Sequence, residues 1–142
     1  MNRKYFTPEQ AEKLLPLLQQ KLSRLQAAKQ AVELLEEVEI ELDDEEQNYR
    51  YNLHLEKEYH RRQYLFYREL EALERQGCII KDIEQGLVDF PCIFQGRDVF
   101  LCWRLGEEQL RYWHEIDNGY AERKPIVDLE SESGVGGLLS TG

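Results

Sequence analysis

The sequence lacks several features that would place it in a specialised class of protein. No apolar run reaches the ~18 residues that a membrane-spanning helix needs. The N-terminal stretch MNRKYFTPEQ has no apolar signal-peptide core. Its three cysteines have no metal-type spacing, and an odd number suits free thiols rather than a disulfide framework. These absences predict a cytoplasmic protein without a membrane span.

Positive charge is also scarce. Lys and Arg total 18 against 28 Asp and Glu, which gives a formal net charge of −10. Nucleic acids and anionic membranes attract clustered cations, so this balance argues against both as partners. The three histidines, His54, His60 and His114, show no ligand spacing, so we expect neither a metal nor another cofactor. A length of 142 residues suits one domain.

The first part of the chain has the pattern of a long helix. Thr7 with Gln10 forms a capping box, and Pro8 suits the first helical position. We expect this helix to run to about Glu41, with a kink at Pro16. Its apolar positions recur every three or four residues, close to coiled-coil spacing: Ala11, Leu15, Leu18, Leu22, Leu25, Ala28, Val32, Leu35, Val38 and Leu42.

A second helix is predicted between a break at Asp43–Asp44 and Gly77, which suits the position after a helix end. Its apolar residues form two stripes on nearly opposite sides. The stripe expected to face the first helix contains Leu55, Tyr59, Phe66, Leu70 and Leu73. The other, which we call the outer stripe, contains Tyr49, Leu53, His60, Tyr64 and Tyr67.

The chain from Cys78 onward changes to a β pattern. Cys78 to Ile83 is a short β-rich run, and residues 87–94 and 99–105 are apolar runs around a loop at 95–98. We expect a hairpin in which Phe94 pairs with Val99. Pro91 then belongs at a sheet edge or bulge.

This register makes definite predictions about the two hairpin faces. Asp89 lies opposite Arg104 on one face, while Phe90 and Trp103 lie on the other. A slip of two residues would leave the faces unchanged. Cys92 and Cys102 point to opposite faces, so we expect no disulfide between them.

The remaining residues are expected to form a short helix and a tail. Gly106 to Asp117 reads as a helix whose buried stripe is Leu110, Trp113 and Ile116. The predicted fold is α+β: a long antiparallel helical hairpin over 7–76, then a β-hairpin module with a short C-terminal helix over 77–125. These form a single domain over 1–125, followed by a flexible tail over 126–142 that is rich in Gly and Ser.

Several of these segments resemble a known family. The opening Thr7-Pro-Glu-Gln-Ala11 resembles that of a prokaryotic family of domains of unknown function, number 2203. The similarity is more specific in the C-terminal half, in the stretches GLVDFP from Gly86, LCWRLG from Leu101 and RKP from Arg123. The resemblance implies a prokaryotic cytosolic domain and carries no activity, cofactor or catalytic residue.

Five residues of the β module are candidates for a ligand site: Asp89, Arg97, Arg104, Trp113 and His114. Asp89 and Arg104 with His114 nearby would make a fork for a carboxylate or phosphate. The alternative is a cross-strand pair that only holds the hairpin register. His114 beside Asp117 also has two possible roles, as an oriented general base or as a structural histidine. We assign no catalytic residue.

The outer stripe supports the leading functional hypothesis. The β module can fold back over only the last turns of the second helix, so Tyr49 and Leu53 need another partner. We therefore expect a non-enzymatic interaction or assembly protein that binds a protein partner or itself as a homodimer, by way of the outer stripe. The alternative is a small-ligand-binding protein or enzyme that uses Asp89, Arg97, Arg104 and His114. A pocket formed by those four side chains would favour the alternative.

Overall fold

The structure is a computed structural model that describes residues 4–41 and 49–127, without the side chains of 38–41 and 49–52. The predicted break at Asp43–Asp44 and positions 128–142 of the predicted tail lie outside the described residues. Within them, two long helices precede an antiparallel five-stranded sheet. This arrangement confirms the predicted α+β class.

The helices are α1 (Pro8–Glu41) and α2 (Tyr49–Glu74). At the start of α1 the Thr7 N–H donates to Gln10 Oε1 at 3.0 Å, and the Gln10 N–H donates to Thr7 Oγ1 at 3.2 Å. This is the predicted capping box. After α2 the chain turns at Gly77, whose φ of +102° favours glycine.

The inward face of α1 supplies much of the core. Its residues Ala11, Leu18, Leu22 and Leu25 are at most 2% exposed. Lys21 Nζ lies 3.5 Å from Glu69 Oε2 of α2, and the Tyr59 hydroxyl of α2 donates to Glu36 at 2.9 Å. These contacts tie two separate points of α1 to α2, whereas Gln26 donates to the backbone carbonyls of Ile83 and Glu84 in the β module.

The five strands follow one another in space in chain order. They are β1 (Ile79–Asp82), β2 (Leu87–Phe94), β3 (Arg97–Arg104), β4 (Tyr112–Glu115) and β5 (Lys124–Pro125). Pro91 lies beyond the end of β1, and its carbonyl accepts a hydrogen bond from the Phe6 N–H at 2.7 Å. Pro91 thus lies on a stretch of β2 that β1 does not pair, which agrees with the predicted edge or bulge, and the bond from Phe6 covers this edge.

The β2–β3 hairpin differs from the predicted register by two residues. Phe94 pairs with Arg97, and Cys92, rather than Phe94, pairs with Val99. The connection is the two-residue turn Gln95–Gly96, in which both residues have positive φ, 51° and 76°. Such a turn matches the twist of the strands, so Phe94 and Arg97 can pair directly beside it. The sequence had predicted a longer loop over 95–98.

The slip leaves the two sheet faces as predicted but changes the cross-strand partners. Asp89 lies opposite Cys102, and Arg104 lies opposite Leu87. The predicted Asp89–Arg104 pair is therefore wrong. The core face carries these strand residues, all at most 2% exposed: Val88, Phe90, Cys92, Phe94, Val99, Leu101, Trp103 and Trp113.

The predicted C-terminal helix is also wrong. Residues 112–115 form β4, and the only helical segment among described residues 106–125 is the 3₁₀ turn Tyr120–Glu122. Trp113 pairs with Leu101 and is fully buried, whereas Ile116 is 47% exposed. The aromatic run Tyr112-Trp113-His114 favours a strand. This segment also fits helical spacing, but pairing with β3 stabilises the strand.

Candidate functional site

Three potential metal-ligating side chains lie together on the sheet face opposite the core. Asp89 comes from β2, Cys102 from β3 and His114 from β4, and their ligand atoms lie within 4.8 Å of one another. Each residue is 2% exposed. We call this group the Asp–Cys–His cluster.

The hydrogen bonds of His114 fix its protonation pattern. Nδ1 lies 2.7 Å from the carbonyl oxygen of Glu115, and Nε2 lies 3.1 Å from Asp89 Oδ2. Because a carbonyl oxygen only accepts, Nδ1 carries a hydrogen. Nε2 therefore meets a carboxylate, and the contact is favourable only when a proton or another cation lies between the two atoms.

The surroundings favour the protonated ring. Burial lowers the pKa of His114, but the hydrogen bonds to Asp89 and Glu115 and the charge of Asp89 outweigh it, so the pKa is raised despite the opposing charge of Lys81. Burial also raises the pKa of Cys102 to about 12, with a further contribution from Asp89. The raised pKa of His114 favours the imidazolium, which can donate from Nε2 to Asp89, and the raised pKa of Cys102 favours its neutral thiol.

The other predicted ligand residues do not converge with this cluster. Arg97 Nη1 lies 3.7 Å from Glu115 Oε2, and Arg104 Nη1 donates to the Tyr120 hydroxyl at 3.2 Å. Trp113 is a core residue whose ring lies near Arg97 and Lys124. Of the five predicted ligand residues, Asp89 and His114 are in direct polar contact with each other.

Two open cavities of the described surface lie away from these residues. One of about 430 Å³ lies between α1 and the β1–β2 turn and includes Lys29 and Glu84 in its lining. Another of about 470 Å³ is lined by residues of 109–112 and 125–127. Neither is lined by Asp89, Arg97, Arg104 or His114.

Cys102 is the member of the cluster that sequence reasoning missed. The available signal was the alternation of β3, which places Cys102 two residues from Phe100 on the same face, away from the core. The pairing of β2, β3 and β4 is what shows that Asp89 and His114 lie beside Cys102. The predicted register placed Asp89 opposite Arg104, so the sequence predicted an ion pair there and not a contact with Cys102.

The outer stripe of α2 is open to solvent where the structure describes its side chains. Tyr64 is 65% exposed, Tyr67 57% and Leu53 41%, and His60 is also exposed. The side chain of Tyr49 lies outside the described part of the chain. The β module of the same chain therefore leaves Tyr64 and Tyr67 uncovered.

Fold and site together define a small α+β protein with a long helical pair and a buried Asp–Cys–His cluster. Within the described residues no helix has the length and apolarity to cross a membrane. The chain belongs to the family described as "Uncharacterized conserved protein (DUF2203)", whose profile matches residues 4–126. Neither a curated protein nor a solved structure matches the chain significantly.

Proposed function

We propose that this protein is a non-enzymatic interaction module that associates with a second copy of itself through the outer stripe of α2. The observation that carries the proposal is the exposure of Leu53, Tyr64 and Tyr67 on one helix face. Large aromatic side chains clustered on a surface are typical of interface centres, where they bury area at low entropic cost.

The residues of the alternative ligand site lie apart from one another, which also favours an interaction module. Arg97 and Arg104 contact Glu115 and Tyr120, and Asp89 is buried against His114. A ligand fork would need these groups to face a common cavity. The alternative, a small-ligand binder that uses the four residues as one site, is correspondingly weaker.

The charge pattern of α2 argues for a second copy as the occupant. Lys57 and Glu71 lie seven residues before and after Tyr64, which places all three on one helix face. An antiparallel pair of α2 helices that cross near Tyr64 would place Lys57 of each copy opposite Glu71 of the other. Glu71 is 67% exposed in its ion pair with Arg75, so it can exchange partners at little cost.

The first test is the mass of the protein in solution. We expect light scattering to give a dimer for the unaltered chain and a monomer for a variant carrying Tyr49→Asp and Leu53→Asp, or for Tyr64→Asp, because a buried charge opposes association. Leu34→Asp is the matched control: Leu34 is 60% exposed on α1, outside the outer stripe, and should leave the dimer intact.

A charge exchange tests the antiparallel arrangement. Lys57→Glu and Glu71→Lys should each weaken self-association, since each creates like-charge contacts across the two-fold axis. Mixed in equal amounts, the two variants should form a heterodimer in which both contacts are again opposite in charge. An unaltered chain that remains a monomer at high concentration would refute self-association and leave a different protein as the occupant.

A further inference from the structure

We infer that the Asp–Cys–His cluster is a binding site for a divalent transition-metal ion, with Zn²⁺ as the best fit. The site would use one oxygen of Asp89, Sγ of Cys102 and Nε2 of His114. It lies on the β sheet and is independent of the outer stripe of α2.

The geometry supports this assignment. Three different donor atoms lie within 4.8 Å of one another, so a modest inward shift of the side chains brings them to one ion. The 3.1 Å separation of His114 Nε2 and Asp89 Oδ2 is close to the ~3.3 Å edge of a tetrahedron with ~2.0 Å metal–ligand bonds. Imidazole, thiolate and carboxylate together suit zinc, and three protein ligands leave a fourth position for water.

The orientation of His114 is the second observation. Its Nδ1–H donates to the Glu115 carbonyl at 2.7 Å, which leaves Nε2 as the nitrogen turned toward Asp89 and Cys102. Metal-ligating histidines use this arrangement, in which a hydrogen bond to one ring nitrogen fixes the tautomer and orientation of the other. Cys102 places its sulfur beside this Asp89–His114 pair as a third donor atom.

The charges of the occupied site balance. A metal-bound cysteine is a thiolate and a metal-bound histidine is a neutral imidazole, so any proton on Sγ of Cys102 or Nε2 of His114 leaves to solvent on binding. A 2+ ion with a carboxylate, a thiolate and a neutral imidazole sums to zero. The buried site thus holds a divalent ion without net charge, which burial would oppose.

The experiment titrates the full chain, stripped of metal by a chelator, with Zn²⁺ alone and with Co²⁺ alone. We expect one ion per chain and, with Co²⁺, the near-ultraviolet absorption of a cobalt–thiolate bond. Cys102→Ser should abolish that absorption and weaken zinc binding by at least ~100-fold, since even mutations outside the ligand set cost 10–100-fold. His114→Gln and Asp89→Asn should each weaken binding as well.

Cys92→Ser is the matched control. Cys92 is an equally buried thiol on the core face, and its removal should leave the absorption and the stoichiometry unchanged. Circular dichroism of each metal-free variant separates loss of the site from loss of the fold. If Cys102→Ser does not fold, the cobalt–thiolate absorption of the unaltered chain and its survival in Cys92→Ser decide the question. Stoichiometric Co²⁺ without thiolate absorption, no binding, or absorption that persists in folded Cys102→Ser would overturn the assignment.

Discussion

Cys78, Cys92 and Cys102 are all buried free thiols. Burial raises the pKa of Cys78 to about 11 and that of Cys92 and Cys102 to about 12. Cys92 and Cys102 lie on opposite faces of the sheet, as the sequence predicted, and form no disulfide. Since the thiolate is the reactive form, a raised pKa makes each cysteine slow to react.

This chemistry predicts the behaviour of the metal-free protein toward a thiol reagent. At pH 8 a cysteine of ordinary pKa is roughly one quarter thiolate, whereas a pKa of about 11 leaves only about one part in a thousand. Ellman's reagent should therefore modify the native protein far more slowly than the unfolded chain. In guanidinium it should count three thiols; a count of one would reveal a disulfide and contradict the prediction.

At the same scale, Asp89 shows where prediction from sequence stops. Alternation along β2 placed it on the face opposite Phe90, and the structure confirms that. The residue opposite Asp89 depends on the register of the hairpin: Cys102 in the structure, Arg104 if the strands are shifted by two residues. Hydrophobic alternation is the same in both registers, so it cannot distinguish them. His114 was recognised as a candidate, but its contact with Asp89 crosses an intervening strand and has no local signal.

Among the elements, the β2–β3 turn is the part that sets the register. Gln95 has a φ of 51°, a conformation that asparagine adopts more readily than glutamine. Gln95→Asn should therefore raise the free energy of unfolding by about 0.5 kcal/mol in urea titrations. Gln95→Val, β-branched in the same position, should lower it. A stabilising valine would contradict this account of the turn.

The two largest elements and β2 were predicted well because their signals are local. The capping box at Thr7 and the glycine at Gly77 mark helix ends through bonds and backbone angles near in sequence. β4 was missed because Leu110, Trp113 and Ile116 also fit helical spacing. Its stability comes from pairing with β3, a contact between distant parts of the chain.

For the whole molecule, self-association predicts a stability that depends on concentration. When dimerisation is coupled to folding, mass action raises the melting temperature as protein concentration rises. The unaltered chain should show this rise, and Tyr64→Asp should not, because it places a charge in the proposed contact between copies. Leu34→Asp should behave like the unaltered chain. A melting temperature that is the same at all concentrations for every variant would count against the dimer.

A hairpin shifted from the native pairing by two residues, about 7 Å along the strand, is the alternative that hydrophobic alternation leaves open. In that alternative every apolar side chain would keep its face, and Asp89 would lie opposite Arg104. It would lose the two-residue turn at Gln95–Gly96 and move Asp89 away from Cys102, its cross-strand neighbour in the native pairing. The turn and the Asp–Cys–His cluster therefore favour the same register, and such agreement between local and distant contacts widens the energy gap that makes folding unique.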